Sequence, residues 1–329
     1  MVAKNLDVVG IGNAIVDVLA HSTDNFLLEN EISKGVMTLI GETATRQLYS
    51  KMENPEEQSG GSAANTIACI ASMGGKCAFI GKVNDDAAGR SFQNSIRSSG
   101  ILFETQSSKD SEATAKCLVL VTPDAQRTML TYLGACSQLG PKDIDADIIR
   151  ASKFTYLEGY LWDPEPAKKA FLLAAKIAHS ANRKVALSLS DPFCVSRHRN
   201  EFKELIKNDI NILFANEDEI LSLYEVNRLS EAIDAVSENC ELAAITRGSK
   251  GSIIVADKKI HSIDPAPVDK VLDTTGAGDA YAAGFLYGLV RDMDLYEAGC
   301  LGGVAAGEII THMGGRPLVS FGLNIKAKL

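Results

Sequence analysis

The sequence lacks the features that would send a chain to a membrane, a disulfide scaffold or a structural metal site. No apolar run is long enough to cross a bilayer, and even the greasy stretch from Ala280 to Val290 falls short. The seven cysteines (Cys69, Cys77, Cys117, Cys136, Cys194, Cys240 and Cys300) are odd in number and hold no Cys-x-x-Cys pair. They read as reduced, mostly buried thiols. The five histidines show no His-Glu-x-x-His spacing, so no structural metal is expected. A Gly-x-x-x-x-Gly-Lys-Ser/Thr run is also missing, which excludes a Walker-type phosphate loop. Positive charge is scarce: a net charge of −9 argues against a nucleic acid or an anionic membrane as partner. Met1 to Asp7 carries no signal-peptide core, so the cytoplasm is the expected location.

What is present is a 329-residue chain with an apolar share of 46%, enough for one large α/β domain and an appendage. From Lys153 onward, short apolar runs alternate with amphipathic ones. Phe154–Leu157, Val185–Ser190, Ile210–Phe214 and Leu242–Thr246 read as strands; Glu165–Ala181, Glu201–Lys207 and Glu217–Tyr224 read as helices. That alternation calls for βαβ units around a parallel sheet covered on both faces. Two Ala- and Gly-rich helices follow, Asp279–Val290 and Leu295–Thr311. Near the amino end, Leu6–Gly10 and Cys77–Ile80 are buried-type strands flanking a helix over Ser62–Met73. Five further short strands are expected at Val16–His21, Lys34–Ile40, Phe103–Gln106, Thr114–Leu120 and Arg127–Tyr132. They suggest a small sheet hinged over the carboxyl edge of the large one, a lid above a ligand. The division expected is 1–12, 41–101 and 136–329 for the large domain and 13–40 with 102–135 for the lid.

The sharpest motif is Asp273-Thr274-Thr275-Gly276-Ala277-Gly278-Asp279, which opens a helix. Small residues before a helix leave backbone N–H groups open, and the helix dipole adds positive potential, so the turn can hold an anion. Gly276, Ala277 and Gly278 form such a hole for a transferring phosphoryl group. Asp279 sets a carboxylate beside it that can accept the proton of an attacking hydroxyl. A helix start should lower the pKa of that carboxylate, a weak base that suits the loose transition state of phosphoryl transfer. Read alone, the turn could equally be an ordinary capped helix start.

Four other stretches carry polar groups at turns. Gly60-Gly61-Ser62-Ala63-Ala64-Asn65 feeds a helix, with Asn65 offering donor and acceptor to ribose-type hydroxyls and Ser62 as an alternative N-cap. Gly10-Ile11-Gly12-Asn13-Ala14-Ile15 imitates a dinucleotide fingerprint, but Ile15 takes the third glycine position and a strand follows, so that reading fails. Asn13 and Asp17 remain as polar groups at a strand end. Asn216-Glu217-Asp218-Glu219 is either a capping arrangement or a way to aim Glu219 at hydrated Mg²⁺. Thr246-Arg247-Gly248-Ser249-Lys250-Gly251 is either a phosphate-binding turn or a polar hairpin loop.

In this order, from Val8 to Pro317, the stretches resemble the ribokinase-like (PfkB) family of sugar and nucleoside kinases. Gly60–Gly89, with Gly81-Lys82-Val83-Asn84-Asp85-Asp86-x-x-Gly89, and Asp273–Gly284 are the specific parts. The resemblance implies a Rossmann-like three-layer α/β/α sandwich with a β lid, and ATP with Mg²⁺ as phosphate donor. It implies Asp279 as base and Asn13, Asp17, Gly61, Ser62 and Asn65 around the acceptor. Asn216 and Glu219 would serve phosphates and Mg²⁺, and Thr246, Arg247, Gly248 and Gly251 the nucleotide. Arg127 resembles a lid arginine that reaches the transferring phosphate. Loop carbonyls near Asp273, Thr275 and Gly315 lie where many relatives bind a monovalent cation such as K⁺. Gly-Gly-Ser-x-x-Asn, with Tyr160 and Phe193 at positions that enclose a base, resembles the adenosine kinases of the family; Thr275, as in ribokinase itself, stands where many of them have Asn. The expected reaction is adenosine to AMP, with a sugar kinase as alternative and a catalytically silent nucleoside-binding protein from another class. Relatives occur as monomers and as lid-paired dimers, so either a monomer or a homodimer is expected.

Overall fold

A computed structural model describes residues 5–109, 112–124 and 126–318. The chain ends assigned above to the large domain, 1–4 and 319–329, lie outside the described residues, as does Ala125 beside the lid arginine. The large sheet has eight strands, in the spatial order Lys259–Ile263, Ser252–Ala256, Leu242–Thr246, Ile212–Asn216, Lys184–Ser188, Ser152–Glu158, Leu6–Ile11 and Cys77–Ile80. All neighbours pair in parallel except at the far edge, where Ser252–Ala256 runs antiparallel to both of its partners. The first strand, Leu-Asp-Val-Val-Gly-Ile, is buried along its whole length, as a central parallel strand covered on both faces requires.

Helices Ser62–Ser72, Ala277–Val290 and Leu295–Ile309 pack together as one layer. Glu165–Ser180, Pro192–Asp209, Glu217–Tyr224 and Leu229–Asn239 form the other. The last two helices of the first layer cross very closely: a Cβ on Gly284 would lie 2.6 Å from the Leu301 carbonyl oxygen. Small residues there are a packing requirement. The α/β/α sandwich expected from the sequence is the observed architecture.

The smaller sheet has five strands, in the order Met37–Leu39, Arg127–Tyr132, Ala115–Val121, Ile15–His21 and Glu56–Ser59. One expected member is wrong. Phe103–Gln106 forms no strand; the chain beside it makes only isolated bridges, at Leu102 and Ser108. The fifth strand is Glu56–Ser59, antiparallel to Val16–Leu19, within a stretch that the sequence reading gave to the large domain. Its Glu-Glu-Gln-Ser sequence has no apolar residue to signal a strand, because it sits at an edge and borrows its order from the partner. The outer face of this sheet has its own small core of Val18, Leu27, Leu118, Leu120 and Leu130, flanked by Leu48, Tyr49 and Met52. The segment after Ile15 is thus a lid strand, which is why the dinucleotide fingerprint fails in three dimensions too.

Candidate active site

Leu6–Ile11 and Ser152–Glu158 are neighbours, yet the next strand along the chain lies on opposite sides of the pair. This is the topological switch point, where open α/β sheets leave a crevice beyond the strand ends. A cavity of about 820 Å³ opens there, between the large sheet and the lid.

Asp279 sits at its floor. The helix it belongs to begins at Ala277, with Gly276 as N-cap at φ +74, a conformation that favours glycine. Gly276 also presses on the last described segment: a Cβ there would lie 2.5 Å from Gly315 Cα. The N–H groups of Gly278 and Asp279 have no acceptor among the described residues, and a Cβ on Gly278 would meet nothing within 4 Å. An open, amide-lined pocket therefore faces the cavity at a helix N-terminus.

Asp279 departs from expectation in its acidity. Burial raises its pKa to about 6, and two hydrogen bonds offset only part of that, from Ser62 Oγ at 2.6 Å and Asn65 Nδ2 at 3.4 Å. The expected lowering by the helix start is outweighed by desolvation. Ser62 is no N-cap: Gly61, at φ +92, holds that position, and Ser62 spends its hydroxyl on Asp279. A Cβ on Gly61 would lie 2.3 Å from the Asn13 carbonyl oxygen, so this turn and the end of the first strand are locked together.

Glu158 is the link that sequence reading passed over. Only 1% exposed, it accepts from Asn13 N (3.2 Å), Asn13 Nδ2 (2.5 Å) and Ala63 N (2.7 Å). It thereby fixes both Asn13 and the start of the Ser62–Ser72 helix. Burial raises its pKa to about 7. Asn13 Oδ1 is left as a buried acceptor with no partner among the described residues. Asp17, on the first lid strand, is raised to about 7, by burial first and with Arg316 opposing. A lone Glu closing a buried strand and an Arg after a Gly-Gly pair were the available signals for Glu158 and Arg316.

On the lid, Arg127 reaches down to the loop before the Ala277–Val290 helix, with Nη1 3.1 Å from Asp273 Oδ1 and Nη2 donating to Thr274 Oγ1 at 2.8 Å. Asp273 also accepts from Thr275 N, Thr275 Oγ1 and Gly314 N. Across the cavity, Asn216 and Glu219 form a reciprocal capping box: Glu219 N donates to Asn216 Oδ1 at 2.8 Å, and Asn216 N to Glu219 Oε2 at 3.0 Å. Both still line the cavity, and burial raises Glu219 to about 7. Thr246, Arg247 and Gly248 line it from a turn joining two antiparallel strands, so the stretch is a hairpin loop at the cavity edge.

The structure gathers Asn13, Asp17, Gly61, Ser62, Asn65, Arg127, Tyr160, Asn216, Glu219, Thr246, Arg247, Gly248, Gly276, Ala277, Gly278 and Asp279 around one cavity. Among the residues expected around acceptor and nucleotide, Phe193 and Gly251 fall outside it, and Asp273 and Gly315 of the expected cation loops do not line it either. Phe193 is 51% exposed, lies under the Arg197 guanidinium at 4.2 Å and does not line the cavity. It is the second residue of the Pro192–Asp209 helix. Gly251, at φ +79, packs against the Ile263 carbonyl, a turn requirement and not a cavity wall.

With this geometry in place, comparisons with known proteins agree. The sequence profile of the pfkB family carbohydrate kinases matches residues 34–320. The structure of the adenosine kinase from Sinorhizobium meliloti is similar at TM-score 0.96 and 46% identity, over 99% of this chain and 100% of that one. A probable sugar kinase protein from Rhizobium etli CFN 42 is similar at TM-score 0.96 and 42% identity, over 99% of each chain. Aminoimidazole riboside kinase from Salmonella typhimurium is 28% identical over 261 residues, 77% of this chain and 80% of its own length. The amide-lined helix start with its aspartate and these matches together place the chain in the pfkB family of carbohydrate kinases, as an ATP-dependent phosphotransferase.

Proposed function

We propose that the acceptor is a nucleoside, adenosine, and that the product is AMP. The observation that carries this reading is the two-sided character of the cavity. Polar groups come from Asn13 and Asn65 on the floor and from Asp17 on the lid, whereas Ile15, Met37, Leu39, Met129 and Leu133 on the lid side, with Tyr160, give an apolar wall. A free pentose would satisfy the floor and leave the wall wet; a ribose carrying a base would use both. Base stacking contributes about 1–3 kcal/mol where an aromatic face is available.

In this reading the 5′ hydroxyl oxygen attacks the γ-phosphorus of ATP. Its proton passes to the Asp279 carboxylate, the new P–O bond forms, and the bond to the β,γ-bridging oxygen breaks, releasing ADP. The N–H groups of Gly278 and Asp279 take up charge on the phosphoryl oxygens, a contribution on the order of 3 kcal/mol per well-placed donor. Arg127 adds positive charge from the lid. Glu219 would be the residue that holds the divalent ion accompanying ATP, for which Mg²⁺ is the expected choice, and that ion would neutralise charge on the phosphates. The Glu219 oxygen donors suit that ion, and Asp191, Asp218 and Asp279 give the site a negative field that a cation relieves. Carbonyls near Asp273, Thr275 and Gly315 are the candidate K⁺ ligands, and the protein acts in the cytoplasm.

Similarity to the Rhizobium etli protein supports a second reading, a sugar acceptor bound by the same floor. Release of ADP from Mg·ATP with adenosine, inosine, ribose and fructose, each with and without K⁺, separates the two. Adenosine is expected to give the highest kcat/KM. Background turnover with adenosine beside clear turnover of a hexose would establish the sugar reading instead.

A further inference from the structure

We infer that Arg316 is a positioning residue for the acceptor: its guanidinium fixes the Asn65 amide and the Gly60 turn, so that Asn65 turns its donor toward Asp279. This rests on the kinase reading of the site and adds to it a residue behind the cavity wall.

All three guanidinium nitrogens are used. Nε donates to Asn65 Oδ1 at 3.1 Å, Nη1 to Ser95 Oγ at 3.1 Å and Nη2 to the Gly60 carbonyl at 3.2 Å. The plane lies against the Phe92 ring, 5.7 Å from its centroid. Arg316 does not line the cavity. Its effect runs through residues that do.

The Asn65 amide is the first of these. Its oxygen faces Arg316 and its nitrogen faces Asp279 Oδ2 at 3.4 Å. Flipping the amide would set two donors together at Arg316 and two acceptors together at Asp279, so the arginine selects one orientation. The second is Asp17. A Cβ on Gly60 would come within 2.0 Å of Asp17 Oδ2, so this carboxylate lies directly over the turn that Arg316 holds. The charged groups facing Asp17 are Arg316 from the carboxyl-terminal segment, Asp279 from its helix and, from the adjoining lid strand, the Cys117 thiol. Burial keeps that thiol, and Cys69 near Arg316, neutral through the physiological range. Arg316 is therefore the cation that offsets the burial of Asp17.

The same short segment touches the phosphoryl side. Gly314 N donates to Asp273 Oδ2 at 2.9 Å, and a Cβ on Gly315 would lie 2.8 Å from Asn65 Nδ2. Gly314-Gly315-Arg316 thus ties acceptor floor and anion hole together.

Arg316→Lys and Arg316→Met separate charge from geometry, because lysine keeps the charge but cannot serve three acceptors in a plane. The variants are assayed with whichever of adenosine, inosine, ribose or fructose the wild type phosphorylates, so failure of the adenosine reading leaves this test intact. Both variants are expected to lower acceptor kcat/KM by about 10- to 100-fold while ATP KM changes by less than about two-fold. The acid limb of the acceptor kcat/KM profile should move up by roughly one pH unit in the Met variant and stay in place in the Lys variant. Should both variants match wild type, or should acceptor and ATP constants worsen together with a lower Tm, the positioning role is overturned.

Discussion

Ser62 Oγ donates to Asp279 Oδ1 at 2.6 Å, which joins the first residue of the Ser62–Ser72 helix to the proposed base in the first turn of the Ala277–Val290 helix. The hydrogen bond lowers a pKa that burial alone would set higher than about 6. Ser62→Ala should therefore raise it. A carboxylate base works only when deprotonated, so the acid limb of the kcat profile moves to higher pH. We expect kcat to fall about 3- to 10-fold at pH 6 and by less than about two-fold at pH 8.5. A uniform loss across the pH range would place Ser62 in substrate contact and not in tuning the base.

Arg127 spans the lid and the Asp273-Thr274 loop through its contacts with the Asp273 carboxylate and the Thr274 hydroxyl. In the proposed reaction its charge lies beside the developing phosphoryl charge. Arg127→Ala should lower kcat by about 10²- to 10³-fold and alter acceptor KM much less. Steady-state kinetics with both substrates varied checks this. Equal losses in ground-state affinity would contradict a role centred on the transition state.

Glu158 makes a stability prediction with a definite sign. Its pKa is about 7 in the folded protein against an ordinary value of 4.5, so the folded state binds the proton more tightly. Stability attributable to this group therefore falls as pH rises between those values, by up to roughly 3 kcal/mol. Glu158→Gln removes the titration and should flatten the decline in Tm from pH 5 to 8. It also turns an NH₂ toward a backbone donor at Asn13 or Ala63, so Tm at pH 5 should drop, by the equivalent of about 1–3 kcal/mol. An unchanged slope would show that Glu158 is ionised throughout.

Much of the site was legible before the fold. The glycine turns at Gly60-Gly61 and Gly276-Ala277-Gly278 could be placed because backbone freedom leaves a sequence signature, and both turns line the cavity. The buried strand Leu6–Ile11 could be read because a two-sided environment demands a continuous apolar run. Tertiary facts left no such mark. Glu56–Ser59 becomes a strand only through pairing, and Phe193 lies outside the cavity, stacked under the Arg197 guanidinium. The acidity of Asp279 turned on the balance between a helix dipole, which is local, and burial, which only the assembled cavity reveals. Arg316 lies 251 residues from the asparagine it holds, and no spacing rule connects them.

In the proposed mechanism Asp279, beside the open N–H groups of Gly278 and Asp279, receives the acceptor proton during phosphoryl transfer. The most direct measurement is kcat for Asp279→Ala alongside its Kd for Mg·ATP. A fall in kcat of about 10²- to 10⁴-fold is expected, with nucleotide affinity preserved within a few-fold. A variant that turns over acceptor at the wild-type rate, or one whose entire loss lies in ATP binding, would contradict it.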